Sequence, residues 1–347
     1  WRWRRSSLVV EKVKRRSALP YAAADRRFFM PLVAGWDRRQ REGYMKKELP
    51  SWAYKVAIVV ATIIWGYSFV SMKGVVAVIP PAWLLGFRFL FAGIVLTAIL
   101  WKRVRKAFGG KMVLAGTVLG LADFLAFWTQ TVGLEHTTPG INAFLTATYC
   151  VIVPFLWWIV AHRRPTVFNI GAAVLALVGI WLVSVQSGGM AMGFGEVMTL
   201  LCAVLFAVHM VLVSKLSRFY DVLALTAVQF VAEGCMGLLS GAAFETFPGF
   251  AAFTPDIIGQ LLFLSIFASI VAFGIQNVAL AHIPPAQASL FLSLESVFGV
   301  LFSVLLYGEQ LSLRLLVGFS LIFVAIIISE TLPLKRKQPD DAVGEAI

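Results

Sequence analysis

The sequence predicts an all-α integral membrane protein with ten transmembrane helices in two inverted five-helix repeats. Three observations carry this expectation. First, 59% of the 347 residues are hydrophobic and only 14% are charged, with a mean hydropathy of +0.84; a water-soluble domain does not have this composition. Second, the apolar stretches run about 20 residues each, the length a helix needs to cross a hydrocarbon core of roughly 30 Å and too long for barrel strands. Helices also satisfy their own backbone polar groups in lipid. Third, FWTQTVGLEHTTP at 127–139 returns as FGIQNVALAHIPP at 273–285. Phe127, Gln130, His136 and Pro139 are matched by Phe273, Gln276, His282 and Pro285 at a constant shift of 146 residues, and Val132 with Val278 and Leu134 with Leu280 extend the match without a gap. Such an echo marks a duplicated unit.

In chain order, residues 1–44 begin at Trp1, lack the uninterrupted apolar run of a signal peptide, and are expected to be a disordered basic extension ahead of a natural start at Met45-Lys46-Lys47. Residues 1–47 hold 14 Lys or Arg against 4 Asp or Glu, most of the formal charge of +12. A solvated cytoplasmic tail touching anionic headgroups accounts for that charge, whereas nucleic-acid binding would want a folded basic module with stacking aromatics. No nucleic-acid partner is expected.

The first repeat, residues 45–190, holds apolar stretches at about 53–73, 81–101, 112–133, 139–161 and 166–186. The second, residues 191–333, holds them at about 195–215, 222–244, 257–280, 285–307 and 311–331, and residues 334–347 form a tail. An odd number of crossings per unit makes the second copy enter from the opposite side. With the N-terminus inside, the inner loops carry Lys102, Arg103, Arg105, Lys106, Lys111, Arg163, Arg164, Lys215, Arg218 and the tail Lys335-Arg336-Lys337, and the outer loops little beyond Lys73 and Arg314. The excess of positive charge inside therefore places both termini in the cytoplasm. Inverted repeats of this kind are the architecture of secondary transporters, with substrate bound near mid-depth where the halves meet.

An ionisable group within a span costs roughly 2.5–3.5 kcal/mol on insertion scales unless paired or hydrated. Asp123 shares a helical face with Phe127 and Gln130, and Glu233 lies mid-span between Gln229 and Gly237. Both are read as protonatable carboxylates facing a cavity, or else as hydrogen-bonded packing groups. Glu295, between Ser293 and Ser296, is a candidate for helix locking or coupling, and Glu309 for a turn or cap. Arg88 either snorkels to the outer surface, binds a substrate anion, or pairs with a buried acid. His209 shares a face with Cys202 and Phe206 as a packing group or proton relay. His136 and His282 mark loop corners. Trp65, Tyr67, Trp128 and Tyr149 are placed for a cavity wall, Tyr149 on one face with Asn142 and Thr146. Gly116 and Gly120 form a small-residue packing pair. Cys150, Cys202 and Cys235 fall inside spans with no metal-ligand spacing.

The residues also resemble the EamA-type members of the drug/metabolite transporter superfamily. The early segment Ile64-Trp65-Gly66-Tyr67-Ser68-Phe69, the arginine in Leu85-Gly86-Phe87-Arg88-Phe89-Leu90, and the closing stretch from Ser289 to Ser329 with Glu295, Gly308-Glu309 and Gly318 carry the likeness, which covers about residues 50–331. The resemblance implies ten spans, no bound cofactor, and export or exchange of small metabolites. Ser296 stands where the family usually has proline, and His162-Arg163 stands where a first-repeat counterpart of Gly308-Glu309 would be.

No H-E-x-x-H, Walker or G-x-S-x-G motif is present, so metal-dependent hydrolysis, ATP-driven pumping and that serine-hydrolase arrangement have no sequence support. The expected protein is a multi-pass transporter of a bacterial inner membrane, an exporter moving small metabolites, amino acids or drugs by alternating access. Trp65, Arg88, Gln130, Tyr149 and Gln276 are the expected substrate contacts, Asp123 and Glu233 the proton-coupling pair, and Glu295 and His209 structural or coupling groups. A passive channel, a scaffold without energy coupling, and a membrane-embedded enzyme are the alternatives.

Overall fold

The structure, a computed structural model, describes residues 50–161, 165–184, 192–283, 288 and 291–335. The N-terminal extension, the His162-Arg163 turn, Pro285 and the basic tail beyond Lys335 lie outside the described residues.

The regular elements among the described residues are all helices. It runs through α1 (Ser51–Val76), α2 (Pro81–Ile99), a short α3 (Trp101–Ala107), α4 (Gly110–Glu135), α5 (Pro139–Ala147), α6 (Tyr149–Ala161), α7 (Val167–Ser184), α8 (Phe194–Leu216), α9 (Val222–Phe244) and α10 (Pro255–Phe263). A π-helical segment (Leu264–Phe273) continues α10 into α11 (Gly274–His282); α12 (Leu294–Phe302) continues into a second π-helical segment (Ser303–Tyr307), and α13 (Leu313–Lys335) closes the fold. Among the described residues, seven stretches are long and apolar enough to cross a membrane, including Pro139–Ile159 and Pro255–His282, and the apolar helices Val167–Val183, Leu294–Tyr307 and Leu313–Ser329 are shorter. All ten stretches read from the sequence are thus helical in their described parts.

Local chemistry sets the boundaries. Thr138 and Thr254 cap α5 and α10 by accepting from the Ile141 and Ile257 amides, each followed by a proline in the first turn, where its missing N–H costs nothing. Asp221 caps α9 by accepting from the amides of Leu223 and Ala224. Gly308, at φ 76°, ends the second π-helical segment in the left-handed region that favours glycine. Outward-facing Ile94, Leu177, Leu239 and Leu305 are exposed, as lipid-facing positions should be.

Packing follows the internal duplication. Helix α2 packs on α9 and α7 on α13; α4 lies against α8 and, in exchange, α1 lies against the π-helical segment and α11; α8 touches α5 and α6 while α1 touches α12. At the α2–α9 crossing a Cβ on Gly86 would meet Leu238, one on Gly93 would meet Val231, and one on Gly234 would lie 2.3 Å from the Leu90 amide nitrogen. Residue numbers rise on one helix as they fall on the other, so the two run antiparallel. Only glycine lets these backbones approach so closely.

Gly234→Ala should therefore force α2 and α9 apart at a cost of about 1–3 kcal/mol, lowering the thermal midpoint of the detergent-purified protein. Gly171→Ala, where an added Cβ meets nothing within 4 Å, should leave it unchanged or raise it slightly.

Candidate functional site

Helices α1, α4, α5, α6, α8, α11 and α12 and the first π-helical segment surround a small central cavity, part of it open. Its apolar walls are Trp65, Phe69, Phe127, Tyr149, Phe206, Met210 and Phe273, and its polar ones Ser68, Gln130, Thr146, Gln276 and Glu295. Ten of these twelve residues form five pairs related by the duplication: Phe127 with Phe273, Gln130 with Gln276 and Tyr149 with Glu295 at a shift of 146, and Trp65 with Phe206 and Phe69 with Met210 at a shift of 141. The cavity therefore sits where the two copies meet.

Two interrupted helices supply its polar end. The stretch of α5 and α6 breaks at Thr148, whose hydroxyl donates to the Leu145 carbonyl at 2.6 Å, and α12 begins beyond Ser293, whose carbonyl accepts from the Ser296 hydroxyl at 2.7 Å. Such local hydroxyl bonds compete with the helical ladder. Tyr149 and Glu295 occupy the first turn after each break, and the Tyr149 hydroxyl donates to the Glu295 carboxylate. Gln130 donates to the Thr146 hydroxyl at 3.1 Å.

A layer of rings backs the cavity. Phe127 meets Phe273 at 5.7 Å between centroids and Phe89 meets Phe230 at 5.4 Å, each residue against its own repeat counterpart. Trp65 stands edge-on to Phe273 at 5.3 Å, and its counterpart Phe206 stands edge-on to Phe127 at 4.9 Å. The Trp65 indole is fixed by donating to the Ala268 carbonyl at 2.8 Å, as a buried indole N–H requires. Ala268 lies in the π-helical segment, a widened helix of the sort found at functional sites.

Behind the rings lies a fully buried polar cluster. The Arg88 guanidinium is 4.6 Å from the centroids of both Phe89 and Phe127, its Nε donates to Ser269 at 2.8 Å, and a second nitrogen reaches the Met72 sulfur at 3.8 Å. The Asp123 carboxylate accepts from Gln229 at 2.7 Å and lies 3.6 Å from the His209 ring. Glu233 is beside it and interacts electrostatically with both Asp123 and Arg88. Arg88 to Ser269 and Gln229 to Asp123 are again one contact made twice, since Gln229 is the repeat counterpart of Arg88 and Asp123 that of Ser269.

The structure thus sorts the sequence candidates into two groups. Trp65, Gln130, Tyr149, Gln276 and Glu295 meet at the cavity. Asp123, Glu233 and His209 gather with Arg88 behind Phe127. Arg88, 1% exposed, neither lines the cavity nor reaches the outer surface. Two expected wall residues stand elsewhere: Trp128 packs half-buried against the core, and Tyr67 lines a separate crevice with Lys73, Gln260 and Tyr307. His136 lies edge-on to Phe194 and His282 stacks on Tyr54 at the helix corners. Glu309 caps a neighbouring helix, accepting from the Thr138 hydroxyl and the Gly140 amide at the start of α5, where the helix dipole favours a carboxylate, and from the Ser303 hydroxyl of the second π-helical segment. On the same rim Lys73 donates to the carbonyls of Leu134, Glu135 and Thr137 at the end of α4. Sequence reasoning missed Phe69, Phe206, Met210 and Ser68. Carrying the repeat alignment back from the 127/273 echo to the first helix of each half would have found Phe206 from Trp65 and Met210 from Phe69.

Arg88→Ala would leave two buried acids without their cation and empty the space over two ring faces, a loss of about 3–5 kcal/mol. Glu233→Gln in the same chain should restore part of it. A double-mutant cycle on thermal unfolding that showed strict additivity would exclude the coupling.

Comparison with known proteins agrees with this architecture. A solved crystal structure, 17% identical, superposes with a TM-score of 0.62 over 82% of this chain and 99% of that one, which establishes the fold. An uncharacterized transporter of Archaeoglobus fulgidus is 33% identical over 61% of this chain and 67% of that protein. The uncharacterized transporter YvbV of Bacillus subtilis is 23% identical over 86% and 98%, and the uncharacterized inner membrane transporter YedA of Escherichia coli K12 is 26% identical over 77% and 87%. The EamA-like transporter family matches twice, at residues 52–185 and 193–331, so the duplication seen in the echo is a duplicated EamA domain. The chain is a multi-pass membrane protein and belongs to the EamA-like transporter family.

Proposed function

We propose that this transporter is a secondary active exporter of small organic molecules, built from ten crossings in two inverted five-helix repeats that rock about the central cavity, with both termini in the cytoplasm. The observation that carries the reading is the cavity itself: its walls are repeat counterparts, so either compartment would meet nearly the same side chains when the halves exchange conformations. The antiparallel crossing of α2 and α9 and the twice-made contacts of the ring layer support the inversion. The two broken helices at Tyr149 and Glu295 support binding near mid-depth, where interrupted helices serve carriers.

Energy coupling is assigned to the cluster behind the rings. Two carboxyl groups, Asp123 and Glu233, face a single guanidinium, so one proton brings the set to neutrality with His209 uncharged. In a dry interior the neutral set is favoured. Water reaching the cluster from one side would release the proton, and repacking of Phe127 against Phe273 would pass the change to the cavity.

Two measurements test this. Single cysteines replacing His136 and His282 should label from opposite faces of the membrane, and labelling from one face would break the inverted arrangement. In proteoliposomes, compounds from a metabolite panel should show saturable counterflow and dissipate an imposed pH gradient read by an internal dye. Glu233→Gln should abolish the pH-driven movement by at least tenfold while counterflow persists. Unchanged dissipation would remove the cluster from the mechanism, and conductance without saturation would make the protein a channel.

A further inference from the structure

The sequence leaves the substrate open among amino acids, other metabolites and drugs, and the cavity narrows it. We propose that the cavity binds an organic cation, an ammonium group carried on an apolar body, with Glu295 as its counter-charge. This rests on the reading of the cavity as the transport site.

The charge inventory of the walls is one-sided. Of the twelve lining residues Glu295 alone carries a formal charge, and no Lys, Arg or His is among them. Its side chain is more than nine-tenths buried, and among the described residues its side-chain hydrogen-bond partner is the neutral hydroxyl of Tyr149, so no protein cation is placed to hold it ionised. Arg88, buried and outside the lining, is on the far side of Phe127, with its guanidinium over the faces of Phe89 and Phe127 and its Nε on Ser269. It serves the acids behind the rings and offers no donor to the cavity.

A phosphate or carboxylate entering here would meet the Glu295 carboxyl and no positive group, and a zwitterion would leave its own carboxylate unpaired. A neutral ligand would leave the buried carboxyl holding its proton and would draw no charge attraction from it. A cation satisfies it, and the remaining surface suits the same guest: Trp65, Phe127, Phe206 and Phe273 present aromatic faces and edges, and aromatic faces attract cations in a desolvated site. Gln130, Gln276 and Thr146 supply neutral hydrogen-bonding groups for an N–H on a primary or secondary amine. The break in repeat symmetry also makes sense on this reading. Tyr149 faces Glu295 across the axis where a symmetric pair would place two acids or two phenols, so the ligand carries a single charge and binds in one orientation.

The test uses the full chain in detergent and three probes of similar shape: benzyltrimethylammonium, the uncharged dimethyl benzyl carbinol, and the anion phenylacetate. Calorimetric titration should give benzyltrimethylammonium an affinity at least tenfold above either of the others. Glu295→Gln should remove that preference while leaving the carbinol's affinity unchanged, and Glu295→Asp should keep part of it. Trp65→Ala should weaken all probes that enter the cavity. Phenylacetate or the carbinol binding as tightly as the cation in the wild-type protein overturns the proposal, and that comparison stands even if Glu295→Gln fails to fold. If such binding is still weakened by Trp65→Ala, the cavity remains the ligand site and only the cation assignment falls. If no probe binds, or binding ignores both Trp65 and Glu295, the cavity reading falls with it.

Discussion

Everything in this fold turns on two ring contacts made by residues with their own repeat counterparts, Phe127 with Phe273 and Phe89 with Phe230. A residue can touch its duplicate only at the seam between the two copies. That requirement fixes where the halves meet. It also explains why the flanking contacts come in twos, Trp65 on Phe273 and Phe206 on Phe127, and Arg88 on Ser269 and Gln229 on Asp123. In a lipid environment there is little hydrophobic drive to bring helices together, so close packing and hydrogen bonds must hold the halves. The glycines of α2 and α9 and the tilted rings between them provide that packing.

The ring layer divides the polar chemistry of the protein into two compartments. On one side is a cavity with aromatic walls and one carboxylate. On the other, Arg88, Asp123, His209 and Glu233 form a buried cluster in which Arg88 attracts both acids and the direct hydrogen bonds go to Ser269, Met72 and Gln229 around it. A phenyl pair is an effective divider because it excludes water and still transmits motion: moving one ring displaces the other by contact. In the mechanism proposed here, proton and substrate therefore act on opposite faces of the same rings.

The two copies have diverged where chemistry demands it. Phe127 with Phe273 and Phe89 with Phe230 stayed identical, and Trp65 with Phe206 stayed aromatic, whereas Arg88 faces Gln229, Asp123 faces Ser269, and Tyr149 faces Glu295 across the repeat relation. Packing is symmetric and charge is not. A strictly symmetric cluster would bury two like charges beside each other on the axis, at a cost that packing of this kind could not offset.

The amino-acid sequence by itself determined the class of protein, the helical stretches and the duplication, because hydrophobic length and a constant shift of matched residues are properties of the chain that survive any folding arrangement. It also singled out Trp65, Gln130, Tyr149, Gln276, Asp123 and Glu233 by their polarity or ring character within apolar runs. Only the tertiary structure decided which of them stand together. Arg88 and Trp65 both sit in the first two helices, yet one lies behind Phe127 and the other before it. Helical periodicity gives the direction of a side chain from its own axis and says nothing of which neighbour fills that direction. The partners of these groups come from helices more than a hundred residues away, Ser269 for Arg88 and Gln229 for Asp123, and only the crossing of the two halves brings them within reach.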